Sequence, residues 1–254
     1  MKLLRPQDAG AYEADSNDLA RMGLAAFTRV EATVLTAMVG LLLAVVLPAL
    51  AHDRTRSSRI ACANNLRQIG VASQLWGNDR GDRPPWEIPV NQGGTLQHTL
   101  SGNAWLHFAS MSNELASPRI LLCPSDTGRL ATEFSSSADG GFLNPNHRNN
   151  SVSYFLTHAF QNGQFSMFAG DRNFLTLAGS GTCSRFPTVS FANVNSPLGW
   201  DTNLHNRAGN IVRLDGRVNQ YSDTELNAAV RGDPLSDSVG IDDGSRSFHI
   251  LKPR

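Results

Sequence analysis

The chain is poor in cysteine and in charge, and neither sign of charge is in excess. Its 254 residues contain three cysteines, and Lys plus Arg equal Asp plus Glu at 22 each. Balanced charge gives no overall field that would attract nucleic acid or an anionic membrane surface, and we expect no nucleic-acid partner. No C-x-x-C pair occurs, so a zinc site built from cysteine alone is not expected. The low charged fraction of 17% and the 22 glycines indicate a loop-rich, surface-exposed domain.

The cysteines are Cys62, Cys123 and Cys183. In an exported domain two of them can pair, and we take Cys62 with Cys123 as the expected disulfide. Spacing alone does not determine the connectivity.

One long apolar run dominates the N-terminal part of the chain. Residues 32–51 contain no charged side chain, and Thr33 and Thr36 are the only polar ones. Twenty helical residues reach about 30 Å, which is the thickness of the hydrocarbon layer of a membrane. A buried core helix would show a polar stripe, so we predict a transmembrane helix over about 30–51.

A cleaved secretory signal is the other interpretation of this run, because "LLLAVVLPALAHD" resembles an apolar region followed by small residues. The apolar region is too long for that, and the segment before it is acidic. Four acids precede residue 27 against three bases, whereas an export signal begins with positive charge: Asp8, Glu13, Asp15 and Asp18 against Lys2, Arg5 and Arg21.

Glu31 lies at the front edge of the apolar run. A charge at the centre of a bilayer costs up to about 3 kcal/mol, and less near the edge, so this carboxylate is expected to have a partner. Arg29 is two residues away, and on a helix that spacing places it on a different face. A free amine at the N-terminus of a neighbouring subunit would be a better partner.

The residues around Glu31 carry a family resemblance. Ala25-Ala26-Phe27-Thr28-Arg29-Val30-Glu31, followed by the apolar run, resembles the processing site of type IV prepilins and type II secretion pseudopilins. The resemblance implies that a prepilin peptidase removes the leader 1–26 between Ala26 and Phe27 and methylates Phe27. It also implies that Glu31 pairs with that amine on another pilin-like subunit during assembly. Ala26 stands where the family usually has glycine.

Motifs downstream follow the order of a secretion-protein-G-like group with large C-terminal domains. They are "ACANNLRQIGVASQLWGNDRGDRPP", "LLCPSD", "SVSYFLTHAF", "FAGDRN" and "LHNRAGNIVRLDGRVNQYS". The resemblance implies a structural subunit of a type II secretion or type IV pilus-like assembly, anchored once in the inner membrane with a periplasmic or extracellular domain. The positive-inside rule gives the opposite orientation, because three arginines follow the span closely: Arg54, Arg56 and Arg59.

Periodicity predicts a helix over 27–78 and a globular domain over 79–254. Apolar residues continue at three- and four-residue steps after the span, and "GNDRGDRPP" should end the helix. The stripe consists of Cys62, Leu66, Ile69, Ser73 and Trp76. The resulting fold class is α+β and pilin-like, with the long helix packed on an antiparallel sheet.

Local signals within the domain predict further elements. A second helix is expected through Leu96, Leu100, Ala104 and Phe108. Strands are expected at "RILLC", "SVSYFLTHAF" and "FPTVSF". Asp215-Gly216 predicts a two-residue hairpin loop, and Ser222 with Glu225 forms an S-x-x-E capping box that opens a helix.

Two clusters of oxygen-bearing side chains are candidates for calcium. They are Asp171 with Asn173 and Asp242 with Asp243, and neither has the spacing of an EF-hand. A solvated turn explains each cluster better, so we expect no resident metal or cofactor.

We do not expect an enzyme. Cys123, His205 and Asp215 supply the residue types of a nucleophile, a base and an orienting carboxylate, but they match no nucleophile motif. The alternative function is a single-pass anchored binding module for carbohydrate or cell-wall material that does not polymerise. Its candidate stacking residues are Trp86, Trp105 and Trp200, which can equally fill a core.

Overall fold

The computed structural model describes residues 28–99, 101–158, 167–176, 182–183, 186–193, 197–231 and 247–253. Contacts within the chain divide it into two compact units, Met1–Ala51 and His52–Arg254. Helix α1 (Arg29–Asn78) begins in the first unit and ends in the second. It ends where the predicted turn-rich stretch begins, and Gly81 and Asp82 there adopt positive φ angles of 69° and 58°.

A seven-stranded antiparallel sheet forms the centre of the second unit. Its strand order is β4-β5-β9-β1-β2-β7-β8, and a separate antiparallel pair joins β3 to β6. The strands are β1 (Tyr154–His158), β2 (Met167–Asp171), β3 (Phe174–Thr176), β4 (Thr182–Cys183), β5 (Phe186–Asn193), β6 (Leu198–Trp200), β7 (Ala208–Arg213), β8 (Val218–Ser222) and β9 (Ser247–Leu251). The fold class is therefore α+β, with an N-terminal apolar helix and an antiparallel sheet.

The central strands are buried on both faces, since alternate residues belong to two different clusters. Along β1, Tyr154 and Leu156 pack in the cluster that contains α1, whereas Phe155 packs in the other. The second cluster includes Leu226 and Val230 of helix α4 (Asp223–Arg231). The sheet thus lies between the C-terminal part of α1 and α4.

The part of α1 in the second unit presents its predicted apolar stripe to this core. Cys62, Leu66, Ile69 and Trp76 are at most 1% exposed, and Ser73 is half-buried. Gly70 brings the helix against β7, because a Cβ there would lie 2.8 Å from Val212 Cγ2. The close approach explains why a small residue interrupts this face.

Two predicted elements differ from the structure. "RILLC" is not a strand: Pro118–Leu121 form a 3-10 turn, because Pro118 starts it and the Ser117 hydroxyl accepts from the Arg119 N–H. The second helix is broken at Gly102, which has a φ of 68°. It is replaced by a 3-10 turn at Leu96–His98 and by helices α2 (Ala104–Ser110) and α3 (Ser112–Leu115).

The predicted hairpin is confirmed, but its loop has three residues. Arg213 N–H donates to Arg217 O at 2.9 Å, which leaves Leu214, Asp215 and Gly216 in the loop. Gly216 has a φ of 80°, the left-handed position that closes a three-residue loop. The predicted strands at "SVSYFLTHAF" and "FPTVSF" correspond to β1 and β5.

The predicted capping box at the start of α4 is also confirmed. Ser222 N–H and its hydroxyl donate to Glu225 Oε2, both at 2.8 Å, and Glu225 N–H donates back to the hydroxyl. These hydrogen bonds lower the pKa of Glu225.

Candidate functional site

The first candidate feature is the exposed apolar part of α1. Arg29–Leu47 has a mean hydropathy of 2.3, and none of it is buried within the chain. Among the described residues this is one helix long and apolar enough to cross a membrane, by length and composition. It is compatible with a single-pass membrane anchor.

Glu31 has a hydrogen-bond partner within its own chain, three residues before it. Its Oε2 accepts from the N–H and the hydroxyl of Thr28, both at 2.9 Å, and its own N–H donates to that hydroxyl at 3.2 Å. These are the bonds of a capping box, with Thr28 as the N-cap. The T-x-x-E spacing was present in the sequence and could have indicated it.

The proposed processing site, Ala26 and Phe27, lies outside the described residues. The same is true of the calcium candidates Asp242 and Asp243.

The second candidate feature is a buried cluster around the Cys62–Cys123 disulfide. The structure joins the two cysteines that we paired, with their Cα atoms 5.1 Å apart, and both are fully buried. Cys62 comes from α1, and Cys123 follows the 3-10 turn at Pro118–Leu121. Cys123 N–H donates to Ser153 Oγ at 2.9 Å, which holds this turn against the start of β1.

His205 and Asp171 complete the cluster. His205 Nε2 lies 3.6 Å from Cys123 Sγ and 3.3 Å from Asp171 Oδ2. Asp171 is the last residue of β2, and His205 lies in the turn before β7, where Asn206 and Arg207 have positive φ angles of 52° and 60°. Arg59 of α1 donates to the carbonyl of His205 at 2.7 Å and fixes this turn.

The environment disfavours charge on both titrating side chains. Burial raises the pKa of Asp171 to about 7, although hydrogen bonds from Asn210 oppose the shift. Burial also lowers the pKa of His205 to about 4, and the nearby Arg59 guanidinium adds to this. Asn210 N–H and Nδ2 both donate to Asp171 Oδ2, at 2.7 and 2.9 Å. Asp171 Oδ1 is buried without a hydrogen-bond partner among the described residues.

The structure does not bring together all three residues that were considered as a catalytic group, Cys123, His205 and Asp215. Asp215 does not orient His205: it lies in the β7–β8 loop, where its carboxylate pairs with Arg217 at 3.3 Å. Asp171 lies beside His205 instead. It precedes His205 by 34 residues, and no spacing rule could have indicated the contact. Cys123 is bonded to Cys62, so it is not a free nucleophile in this state.

Asp171 and Asn173 do not form a solvated turn. Asp171 is directed to His205 and Asn210, whereas Asn173 Nδ2 donates to the carbonyls of Asp201 and Ala208. Both side chains are buried. They fix the path of the backbone between β2, β6 and β7.

The three tryptophans occupy different environments. Trp86 and Trp200 are 4% and 2% exposed and pack on Phe168 and Phe174. Trp105 is partly exposed, with the Arg148 guanidinium 4.7 Å from its ring centre. Two of the three candidate stacking residues are therefore core residues.

No protein-family model, no curated protein and no solved structure matches this chain. The molecule is an α+β protein with an exposed apolar helix at its N-terminal side and a buried disulfide–histidine–carboxylate cluster in its sheet domain.

Proposed function

We propose that this chain is a pilin-like structural subunit of a type II secretion or type IV pilus-like assembly, anchored in the inner membrane by its N-terminal helix. The observation that carries the proposal is the two-part character of α1. Its first nineteen residues, Arg29–Leu47, are exposed and mostly apolar, with Glu31 near their start, and its last part provides the buried stripe of the sheet domain.

The start of α1 supports the same role. Thr28 caps the helix, and helical structure begins at Arg29, two residues after the proposed first mature residue, Phe27. Removal of residues 1–26 would therefore leave the helix intact and place a new amine close to its N-terminus. The mature subunit would have its domain on the periplasmic or extracellular side.

Glu31 has two roles to separate, because a carboxylate can cap its own helix and can also attract the amine of another subunit. Charge attraction is stronger where water is scarce, so an assembly role depends on the negative charge. A capping role depends on an acceptor oxygen at this position, which glutamine also supplies.

Three substitutions distinguish these roles. We expect Glu31→Gln and Glu31→Ala to insert into the membrane but to fail to join assemblies, and Thr28→Ala, which keeps the carboxylate, to assemble. The measurement is the membrane fraction together with the ladder of cross-linked copies in native membranes. Normal assembly of Glu31→Gln would contradict the charge role and leave only the cap.

The mass of the mature N-terminus tests the processing step. The proposal predicts a chain that begins at methylated Phe27. An intact Met1 would instead support the anchored binding module that does not polymerise.

A further inference from the structure

Three metal-ligating side chains meet at one buried point of the sheet domain, and a fourth, Asp171, contacts the histidine among them. They come from separate elements: Cys62 from α1, Cys123 from the turn before β1, His205 from the turn before β7 and Asp171 from β2. The two sulfurs and a ring nitrogen of His205 lie within 4.8 Å of one another, and each of the four residues is at most 2% exposed.

The distances resemble the edges of a tetrahedral zinc site. With ordinary Zn–S, Zn–N and Zn–O bond lengths, such a site has sulfur–nitrogen edges of about 3.6 Å and nitrogen–oxygen edges of about 3.4 Å. The corresponding distances here are 3.6 Å from Cys123 Sγ to His205 Nε2 and 3.3 Å from that nitrogen to Asp171 Oδ2. The bonded sulfurs would have to separate to about 3.8 Å when the disulfide is reduced. The Asp171 carboxylate lies outside the group of mutually close ligand atoms, so it would also have to move toward the sulfurs.

The carboxylate provides a second, independent observation. Asp171 is fully buried, and its Oδ1 has no hydrogen-bond partner among the described residues. Oδ2, which lies 3.3 Å from His205 Nε2, already accepts two hydrogen bonds from Asn210. These bonds hold the carboxylate beside the histidine, in the way that supporting residues orient metal-ligating carboxylates, and leave Oδ1 as the free acceptor. A bound cation would favour the ionised form of this buried carboxyl group, which the disulfide does not.

We propose that the reduced form of the domain binds one Zn²⁺ through Cys62 Sγ, Cys123 Sγ, His205 Nε2 and the Asp171 carboxylate. The disulfide and the metal then exclude each other. A dithiol donates two electrons and two protons, becoming a disulfide itself, and the Cys62–Cys123 bond becomes two thiols. Zn²⁺ displaces the two thiol protons, and a disulfide oxidant reverses the sequence by re-forming the bond and releasing the ion.

This site differs from the cysteine-only site that the sequence excluded. Histidine and aspartate supply half of the ligands, and the chain brings them together from positions up to 143 residues apart. In an exported domain the disulfide is the lasting state, so zinc would belong to the chain before oxidation and would protect its thiols.

Cobalt titration tests the proposal. The full-length chain in detergent micelles is denatured, reduced with a phosphine, refolded without oxygen in the presence of a chelator, desalted and titrated with Co²⁺. We expect one equivalent to bind, with a sulfur-to-cobalt charge-transfer band and the visible bands of tetrahedral cobalt, and Zn²⁺ to displace it. The oxidised chain should show neither band.

Variants locate the ligands. His205→Gln and Asp171→Asn should weaken Co²⁺ binding at least about tenfold and change the visible bands, and the double variant Cys62→Ser/Cys123→Ser should abolish them. His107→Asn, which alters a buried histidine outside the cluster, should bind as the parent does. If His205→Gln and Asp171→Asn bound Co²⁺ as tightly as the parent chain, the proposal would be overturned. It would also be overturned if the reduced parent chain bound no Co²⁺, whether or not that chain had refolded. Neither result bears on assembly, which depends on Glu31.

Discussion

At the scale of single residues, His107 shows how burial favours the neutral form of a histidine. It lies on α2, fully buried, with its Nδ1 2.6 Å from Thr95 Oγ1. Its Nε2 has no hydrogen-bond partner among the described residues. Burial, and to a lesser extent the charge of His98, lowers the pKa of His107 from 6.5 to about 4.

We expect His107 to make the domain less stable in acid. Between pH 6.5 and about 4 the unfolded chain binds a proton at this residue that the folded chain does not, so stability falls as pH falls. The full effect is about 3 kcal/mol. His107→Asn should reduce this slope, measured by urea unfolding at a series of pH values. His98→Asn is the control and should leave the slope nearly unchanged; equal slopes for His107→Asn and the parent would contradict the expectation.

Glu31 and Asp171 differ in whether the partner of the carboxylate could be predicted from nearby residues in the sequence. The need for a partner of Glu31 followed from the cost of a charge at the lipid boundary, and the partner in the chain, Thr28, is three residues away. The neighbour of Asp171 is His205, which is distant in sequence, so its environment could not be inferred from local spacing.

At the scale of elements, the β7–β8 hairpin depends on Gly216. Its φ of 80° is costly for residues with a Cβ, except for asparagine, which tolerates this region. A Cβ at this position would meet only the flexible end of Gln74, at 3.3 Å, so backbone strain decides the effect.

Gly216→Ala should therefore destabilise the domain by about 1 kcal/mol, and Gly216→Asn by less. Chemical denaturation of both variants measures the difference. Equal losses for alanine and asparagine would show that contact with Gln74, and not the backbone angle, controls this position.

Local sequence signals predicted an element correctly where a short motif has a specific structural role, such as capping a helix or closing a hairpin. Ser222 and Glu225 form the expected box, and Asp215-Gly216 marks the expected hairpin. The prediction of a strand at "RILLC" was wrong, because apolar residues indicate burial and both a strand and a 3-10 turn can be buried. Ile120 and Leu121 pack into the core from the 3-10 turn.

At the scale of the whole molecule, the Cys62–Cys123 disulfide closes a loop between residues 61 positions apart. Such a link restricts the unfolded chain, and the loop-entropy relation gives about 4 kcal/mol for this length. It joins α1 to the chain that enters β1, so it constrains how the helix and the sheet come together.

The double variant Cys62→Ala/Cys123→Ala should lose about 4 kcal/mol of unfolding free energy in urea. Cys183→Ala keeps the disulfide and serves as the control. A loss in the double variant no greater than in the control would mean that the link does not limit the unfolded chain.

The sequence by itself determined the apolar span, the end of α1, the hairpin and the helix caps, because each depends on residues a few positions apart. The tertiary structure alone decided the sheet order, in which β9 lies between β5 and β1, and the meeting of His205 with Asp171 and Cys123. These contacts join distant segments, and burial on both faces of the sheet selects among the pairings that local preferences leave equal.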